Sequence, residues 1–361
     1  MTYLIAALFF LRLFFWRVFP QYGTTFVGDV TFGVICLNVV ACHQLAKTKS
    51  PLAPFLFLWV LAAGISFLRS TNPFASTHAL FTLSVYALVF CWIVRNTLSK
   101  DNITILWGYI VAGAVISAAI GIWEFYILRV TSAPDSASQI TGLIYYLKRS
   151  CSLQGWPTAF AGFLILVIPT AFYIRNLVMG ICLGVLVLGL ASSLSILPAL
   201  SLGVAFLLSR FRKNVWWILL GLGFIVYSAW ETKSIESFLL VRGGYYTTAW
   251  HMITQHPVFG NGIGTFSHSG VAPSVFAHNS YLQVWAECGP LGFIGLSGVA
   301  ITFFRMKPGK DMLQVAVYTG LLAVFIDNLF SFTMLKANLS FVWWVALALY
   351  SNLQQGRVKC K

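Results

Sequence analysis

The chain has 361 residues, 59% of them hydrophobic and only 9% charged, against about 25% charged in an ordinary soluble domain. That balance excludes a soluble globular enzyme and points to an integral membrane protein. Lys and Arg exceed Asp and Glu by 23 to 9. The basic residues fall in short stretches between apolar runs, a pattern that serves membrane topology and contact with anionic lipids and argues against nucleic acid as a partner.

A membrane-spanning helix needs about 20 apolar residues. By that measure the expected spans are Tyr3–Phe19, Thr24–Leu45, Pro51–Leu68, Phe74–Val94, Ile103–Leu128, Pro157–Ile174, Leu177–Ser193, Ile196–Ser209, Val215–Trp230, His278–Phe304, Met312–Phe332 and Ala337–Leu353. The expected fold is therefore all-α and polytopic, a single membrane domain over 1–361 with about twelve spans. The first span holds Arg12 and Arg17 and has no small-residue cleavage site, so it reads as an uncleaved segment. Seven scattered cysteines with no CxxC spacing read as small buried hydrophobes.

Charge sets the expected orientation. With the N-terminus inside, the inside loops and C-terminal tail carry fourteen of the basic residues and the outside segments eight, which favours cytoplasmic N- and C-termini. Two longer connections then lie outside: Arg129–Trp156, with Lys148 and Arg149, and Glu231–Ala277, with Arg242 and the run HPVFGNGIGTF. Long connections in a compact protein are usually functional or disordered, so the second, a large outer loop over 231–277, is expected to carry part of a site.

Four of the six histidines, His251, His256, His268 and His278, fall within 28 residues. Their spacings of five and ten do not match the i, i+3 or i, i+4 pattern of helical metal ligands, and no Asp-x-Asp pair accompanies them, so no metal is expected. The GNGIG run (Gly260 to Gly264) lacks the strand-before, helix-after setting of a phosphate loop and reads as a tight turn requiring positive φ, introduced by His256-Pro257.

Arg242 stands between an apolar run and Gly243-Gly244. It reads either as an interfacial anchor or as a guanidinium fork for phosphate oxygens; Arg149 and Lys148 have the same two readings. His278 opens an apolar helical segment and suits proton transfer, its ordinary pKa being near 6.5, although it could instead simply cap an interfacial helix. Glu287 lies nine residues further on, which at 100° per residue puts it on the opposite helix face and about 13 Å deeper. Gln283, four residues before it, shares its face. Glu287 therefore reads as an organiser of buried contacts, pairing with Gln283 or with a basic residue, and not as the group that orients the histidine. Asp29, Glu124 and Asp327 keep open a proton- or ion-coupled lipid or sugar transporter, though no inverted repeat is visible.

The stretch HNSYLQVWAECGPLG, from His278 to Gly292, resembles the His-Asn-x-x-Leu-x(4)-Glu-x-Gly-x-x-Gly signature of the O-antigen ligase and O-antigen polymerase-like superfamily. The run from Arg242 through AWHMITQHPVFGNGIGTF is similar to that family's Arg … Trp … His-Pro-x-x-Gly-x-Gly segment, and RSCSLQGWPTAFAGFL from Arg149 is a looser match. The resemblance implies a GT-C-like membrane glycosyltransferase, working without a cofactor or metal in the bacterial inner membrane with its active site facing the periplasm. Its partners would be a polyprenyl-diphosphate-linked glycan donor and a lipid-linked or carrier-linked glycan acceptor. For a ligase the acceptor is a sugar hydroxyl of lipid A–core; for a polymerase it is another carrier-linked glycan. Residue by residue, the resemblance makes His278 the base and Arg242, with Arg149 and Lys148, the diphosphate ligands. Asn279, Gln283, Glu287 and His256 would support the site. Two departures stand out. The mid-chain Ser-Arg pair common in ligases is missing from LASSLSILPALS (Leu190 to Ser201), and Pro290 after the glutamate implies a kink.

Overall fold

The computed structural model describes residues 27–96, 98–128, 149–174, 176–210, 234–268 and 276–359. Among these, helix is the only regular secondary structure: α1 (Val27–Ala46), α2 (Ala53–Phe67), α3 (Pro73–Arg95), α4 (Lys100–Trp123), α5 (Pro157–Tyr173), α6 (Leu177–Ser192), α7 (Ile196–Arg210), α8 (Ser234–Gln255), α9 (Ser280–Arg305), α10 (Met312–Asp327) and α11 (Ala337–Lys359). Three helices, Pro73–Arg95, Lys100–Tyr126 and Ser280–Arg305, are long and apolar enough to cross a membrane, and shorter apolar helices accompany them. This is an all-helical, membrane-embedded protein. The expected spans Tyr3–Phe19 and Val215–Trp230, and Lys148, lie outside the described residues.

Three boundaries differ from the hydropathy reading. The stretch 231–277, expected as a loop, contains a 22-residue helix, α8, over Ser234–Gln255. The span expected to run to Leu128 loosens into a π turn over Glu124–Leu128. The span expected to reach Phe332 stops at Asp327, because the Asn328 side chain takes over the backbone that follows. Its Oδ1 accepts from the Met334 N–H at 2.9 Å and its Nδ2 donates to Thr333 Oγ1 at 2.6 Å. An Asn side chain that bonds nearby backbone competes with the helical ladder. Hydropathy is blind to this, since the residues remain mostly apolar.

The chain divides into two compact units. One draws on Thr104–Leu240 and Gly309–Asp327, the other on Pro20–Ile103, Val241–Pro308 and Asn328–Lys361. In the first, α5 is buried along most of its length and packs against α6, α7 and α10. A Cβ added at Gly320 of α10 would collide with the Leu166 carbonyl of α5, so this pair of helices meets backbone to backbone. Such close approach, possible only at small residues, drives helix association where lipid removes the hydrophobic contrast.

In the second unit α2 is the hub, packed against α1, α3 and α9. Gly295 and Gly298 of α9 admit Trp59 and Phe55 of α2. Trp59 stacks in turn on Trp344 of α11 at 5.7 Å. A buried amide ties three of these helices together, as membrane burial favours: Asn38 Nδ2 donates to the Val60 carbonyl at 3.2 Å and to Ser84 Oγ at 3.3 Å, joining α1 to α2 and α3.

Gly320→Leu should force α5 and α10 apart and destabilise the protein by about 1–3 kcal/mol, the usual penalty of overpacking. A thermal melt of the purified protein in detergent checks this, with Gly108→Leu, at a position open to its surroundings, as the control expected to melt like the wild type.

Candidate active site

The second unit carries the site, and α9 organises it. Asn279 caps the helix, its side chain accepting from the Leu282 N–H at 2.9 Å. Within the helix, Gly289 leaves the helical region (φ 71°, ψ −174°) and Pro290 follows. Proline has no N–H, so the carbonyl four residues back, Ala286, loses its helical donor. Asn261 replaces that donor: its backbone N and its Nδ2 each reach the Ala286 carbonyl at 3.0 Å. One residue on, the Gly262 N–H donates to the Glu287 carbonyl at 3.0 Å. The glycine-rich loop is thus docked into the break in α9.

The Glu287 side chain completes the docking. Oε2 accepts from the Gly264 N–H at 2.8 Å, and Oε1 accepts from the Phe266 N–H at 3.1 Å and from Gln283 Nε2 at 3.0 Å. Both Glu287 and Gln283 are 4% exposed. The carboxylate therefore meets main-chain donors and its helical neighbour, not a basic side chain. Gln283 Oε1 in turn accepts from the Ala277 N–H at 3.0 Å, which extends the network to the residue before His278. Positive φ at Gly260, Gly262 and Gly264 (74°, 107° and 77°) turns the loop tightly enough for this. A Cβ at Gly260 would strike the Glu287 carbonyl. Of the N–H groups in this glycine run, that of Gly264 is taken by the internal carboxylate and those of Asn261 and Gly262 by main-chain carbonyls of α9. His256 is exposed, and its backbone closes the turn that leads into the loop, its carbonyl accepting from the Gly260 N–H at 3.0 Å.

His278 precedes the cap with φ 52°, a left-handed conformation that His tolerates better than most side chains. Three segments meet around it. From α8, Arg242, which is 9% exposed, donates through Nη1 to the His278 carbonyl at 3.4 Å and to the Phe330 carbonyl. One helical turn on, Tyr245 stacks on the imidazole with centroids 5.0 Å apart and planes at 23°. From the turn after Asn328, Phe332 meets the same ring edge-on at 4.9 Å and 86°. Below, Ser280 is tied to that turn, its N–H donating to the Asn328 carbonyl at 3.0 Å and its Oγ to Asn328 Oδ1 at 2.6 Å.

Burial, and secondly the charge on Arg242, push the His278 imidazole from its usual 6.5 down to about 4. A ring face such as that of Tyr245 favours an imidazolium by about 0.5–2 kcal/mol. Each pKa unit corresponds to about 1.4 kcal/mol, so desolvation and the guanidinium outweigh it. The imidazole is neutral at neutral pH.

Arg149 belongs to the other unit. Its Nε donates to the Ser193 carbonyl at 3.0 Å and its Nη2 to Ser195 Oγ at 2.9 Å. Those serines lie within the very stretch, Leu190 to Ser201, that lacks a basic residue of its own. Beside it, Glu124 in the π turn accepts from the backbone N–H groups of Ser152 at 2.7 Å and Cys151 at 3.2 Å.

Sequence reasoning missed Tyr245, Asn328, Phe330 and Phe332. The spacing of Tyr245 from Arg242 put it on the same helix face, once α8 was known to be a helix. The run Asn328, Ser331, Thr333, polar within an apolar stretch, was the available sign of a turn. Compared with known protein-family models and with curated proteins, the chain matches none.

Glu287→Gln keeps the shape but presents an amide N–H₂ to N–H donors. A buried donor left unmet costs about 1–3 kcal/mol. Amide hydrogen exchange over residues 260–266 should accelerate in this variant, while exchange in α5 stays at the wild-type rate.

Proposed function

We propose that this protein is a membrane glycosyltransferase resembling O-antigen ligase. It transfers a glycan from a polyprenyl diphosphate carrier to a sugar hydroxyl of a lipid acceptor such as lipid A–core, at the periplasmic face of the bacterial inner membrane. The observation that carries the reading is the junction of Arg242 and His278: a guanidinium on α8 binds the main-chain carbonyl of the residue whose buried imidazole its charge helps keep neutral. This is the equipment that such a transfer needs.

The acceptor hydroxyl gives its proton to His278 as its oxygen attacks the anomeric carbon. The bond from that carbon to the diphosphate oxygen breaks, and its electron pair leaves on the polyprenyl diphosphate. The proton held by His278 then passes to solvent. Arg242 stabilises the growing negative charge, an effect strengthened where water is scarce. An imidazole held near 4 is neutral but weakly basic. The donor corrects this: a diphosphate beside His278 offsets the Arg242 charge and raises the affinity of the imidazole for a proton.

Purified protein given a polyprenyl-diphosphate glycan and lipid A–core, without any ion gradient, should yield one transferred glycan per acceptor. A ladder of lengthened carrier glycans would instead identify a polymerase, and dependence on a gradient a transporter. His278→Ala should abolish transfer. Arg242→Lys, which cannot form a bidentate fork, should lose at least tenfold in kcat/KM; a near-normal value would refute the phosphate role.

The pH dependence has a definite sign. The working form is unprotonated, so activity is lost as pH falls through the pKa of His278. The kcat/KM profile reports the free enzyme, and its acid limb should lie near 4. The kcat profile reports the donor complex, and its limb should lie higher.

A further inference from the structure

The two rings around His278 have no part in the transfer as described so far, yet their arrangement is specific. Tyr245 lies nearly parallel to the imidazole and Phe332 nearly perpendicular to it. Phe332 is itself held, stacked on Phe276 with centroids 4.2 Å apart and planes 2° from parallel. An imidazole covered on one face and met edge-on by a second ring has little freedom about its side-chain torsions. Its main chain is fixed as well, by Arg242 at the carbonyl and by the Asn279 cap one residue on.

Tyr245 and Arg242 stand three residues apart on α8, so they share a helix face. One helix thus supplies both the guanidinium that holds the His278 backbone and the ring that holds its side chain. Among the described residues, Tyr245 from α8, with its titratable phenol, and Phe332 from the turn after Asn328 meet the imidazole, and Arg242 from α8 is a charged group beside it.

We infer that Tyr245 is a positioning residue for His278, its ring forming with Phe332 a slot that holds the imidazole in one orientation and shields it from water. The inference rests on the proposed function for its catalytic consequence, but the slot itself has a signature independent of any transfer reaction. Removing the Tyr245 ring opens the imidazole to solvent and relieves the burial that is the first cause of its low pKa. The effect differs from simple damage to the fold in direction: the histidine gains proton affinity toward 6.5, while the donor site on Arg242 is unchanged.

Two measurements test this on the full-length protein in detergent. The first is an NMR titration of ring-labelled histidine, with His278→Gln used to assign the His278 signal. The wild type should titrate near 4, Tyr245→Ala at least one pH unit higher, and Tyr245→Phe, which keeps the ring, close to the wild type. The second is the transfer assay: Tyr245→Ala should lower kcat at least tenfold with little change in KM for the lipid-linked donor, and Tyr245→Phe should restore most of the loss. Should Tyr245→Ala fail to fold, Tyr245→Leu keeps apolar volume without a ring face and should show the same kcat loss. A Tyr245→Ala protein that folds with an unmoved His278 titration and unmoved kcat overturns the slot. Absence of transfer in the wild type, together with the expected titration shift, overturns the proposed reaction and leaves the slot standing.

Discussion

A carboxylate inside an apolar helix bundle must be met by donors, and the way Glu287 is met shapes the site. Its two oxygens gather the N–H groups of Gly264 and Phe266 and the Gln283 amide. The helix around it is broken so that two further carbonyls, those of Ala286 and Glu287, are supplied by the same loop. Helix and loop are therefore unsatisfied separately and satisfied together. In a medium where an unpaired polar group costs several kcal/mol, that mutual need specifies one arrangement. The start of α9, with His278 just before it, is built on this arrangement.

From there the organisation proceeds outward by short links. Gln283 bridges from Glu287 to the Ala277 N–H. Ser280 fixes α9 to the turn after Asn328, and the same turn offers the Phe330 carbonyl to Arg242 and the Phe332 ring to His278. A guanidinium bound to two carbonyls and an imidazole between two rings are rigid parts, of the kind preorganised electrostatic catalysis depends on.

Much of this was legible in the sequence, and the limits follow from physical causes. Apolar runs marked most of the described helices, because the bilayer favours such runs, but not α8, which lies in a stretch read as a loop. The i, i+4 spacing of Gln283 and Glu287 announced a shared face, and Pro290 announced a kink, since both are properties of a single helix. What stayed hidden was supplied across space. Nothing local to Glu287 says that its partners are amides some twenty residues upstream, and a basic side chain was an equally sound guess. Tyr245 and Phe332 were lost among 14 tyrosines and 31 phenylalanines, whose abundance in a membrane protein conceals the few that meet a functional side chain. The end of α10 was misplaced because Asn328 acts through hydrogen bonds, to which hydropathy assigns no weight. Arg149 was read for its charge, whereas its bonds to Ser193 and Ser195 show which backbone it also braces.

The break at Gly289 has a consequence for how this chain can vary. Loops ordinarily accept added or deleted residues because their backbone is solvated. Between Asn261 and Phe266 the chain instead acts as a template-matched insert, the amides of Asn261, Gly262, Gly264 and Phe266 each answering one particular oxygen of α9. Adding or removing one residue there would shift every donor past its acceptor. The length of this segment should therefore be as invariant among true relatives as the register of a strand within a sheet, even where its side chains diverge.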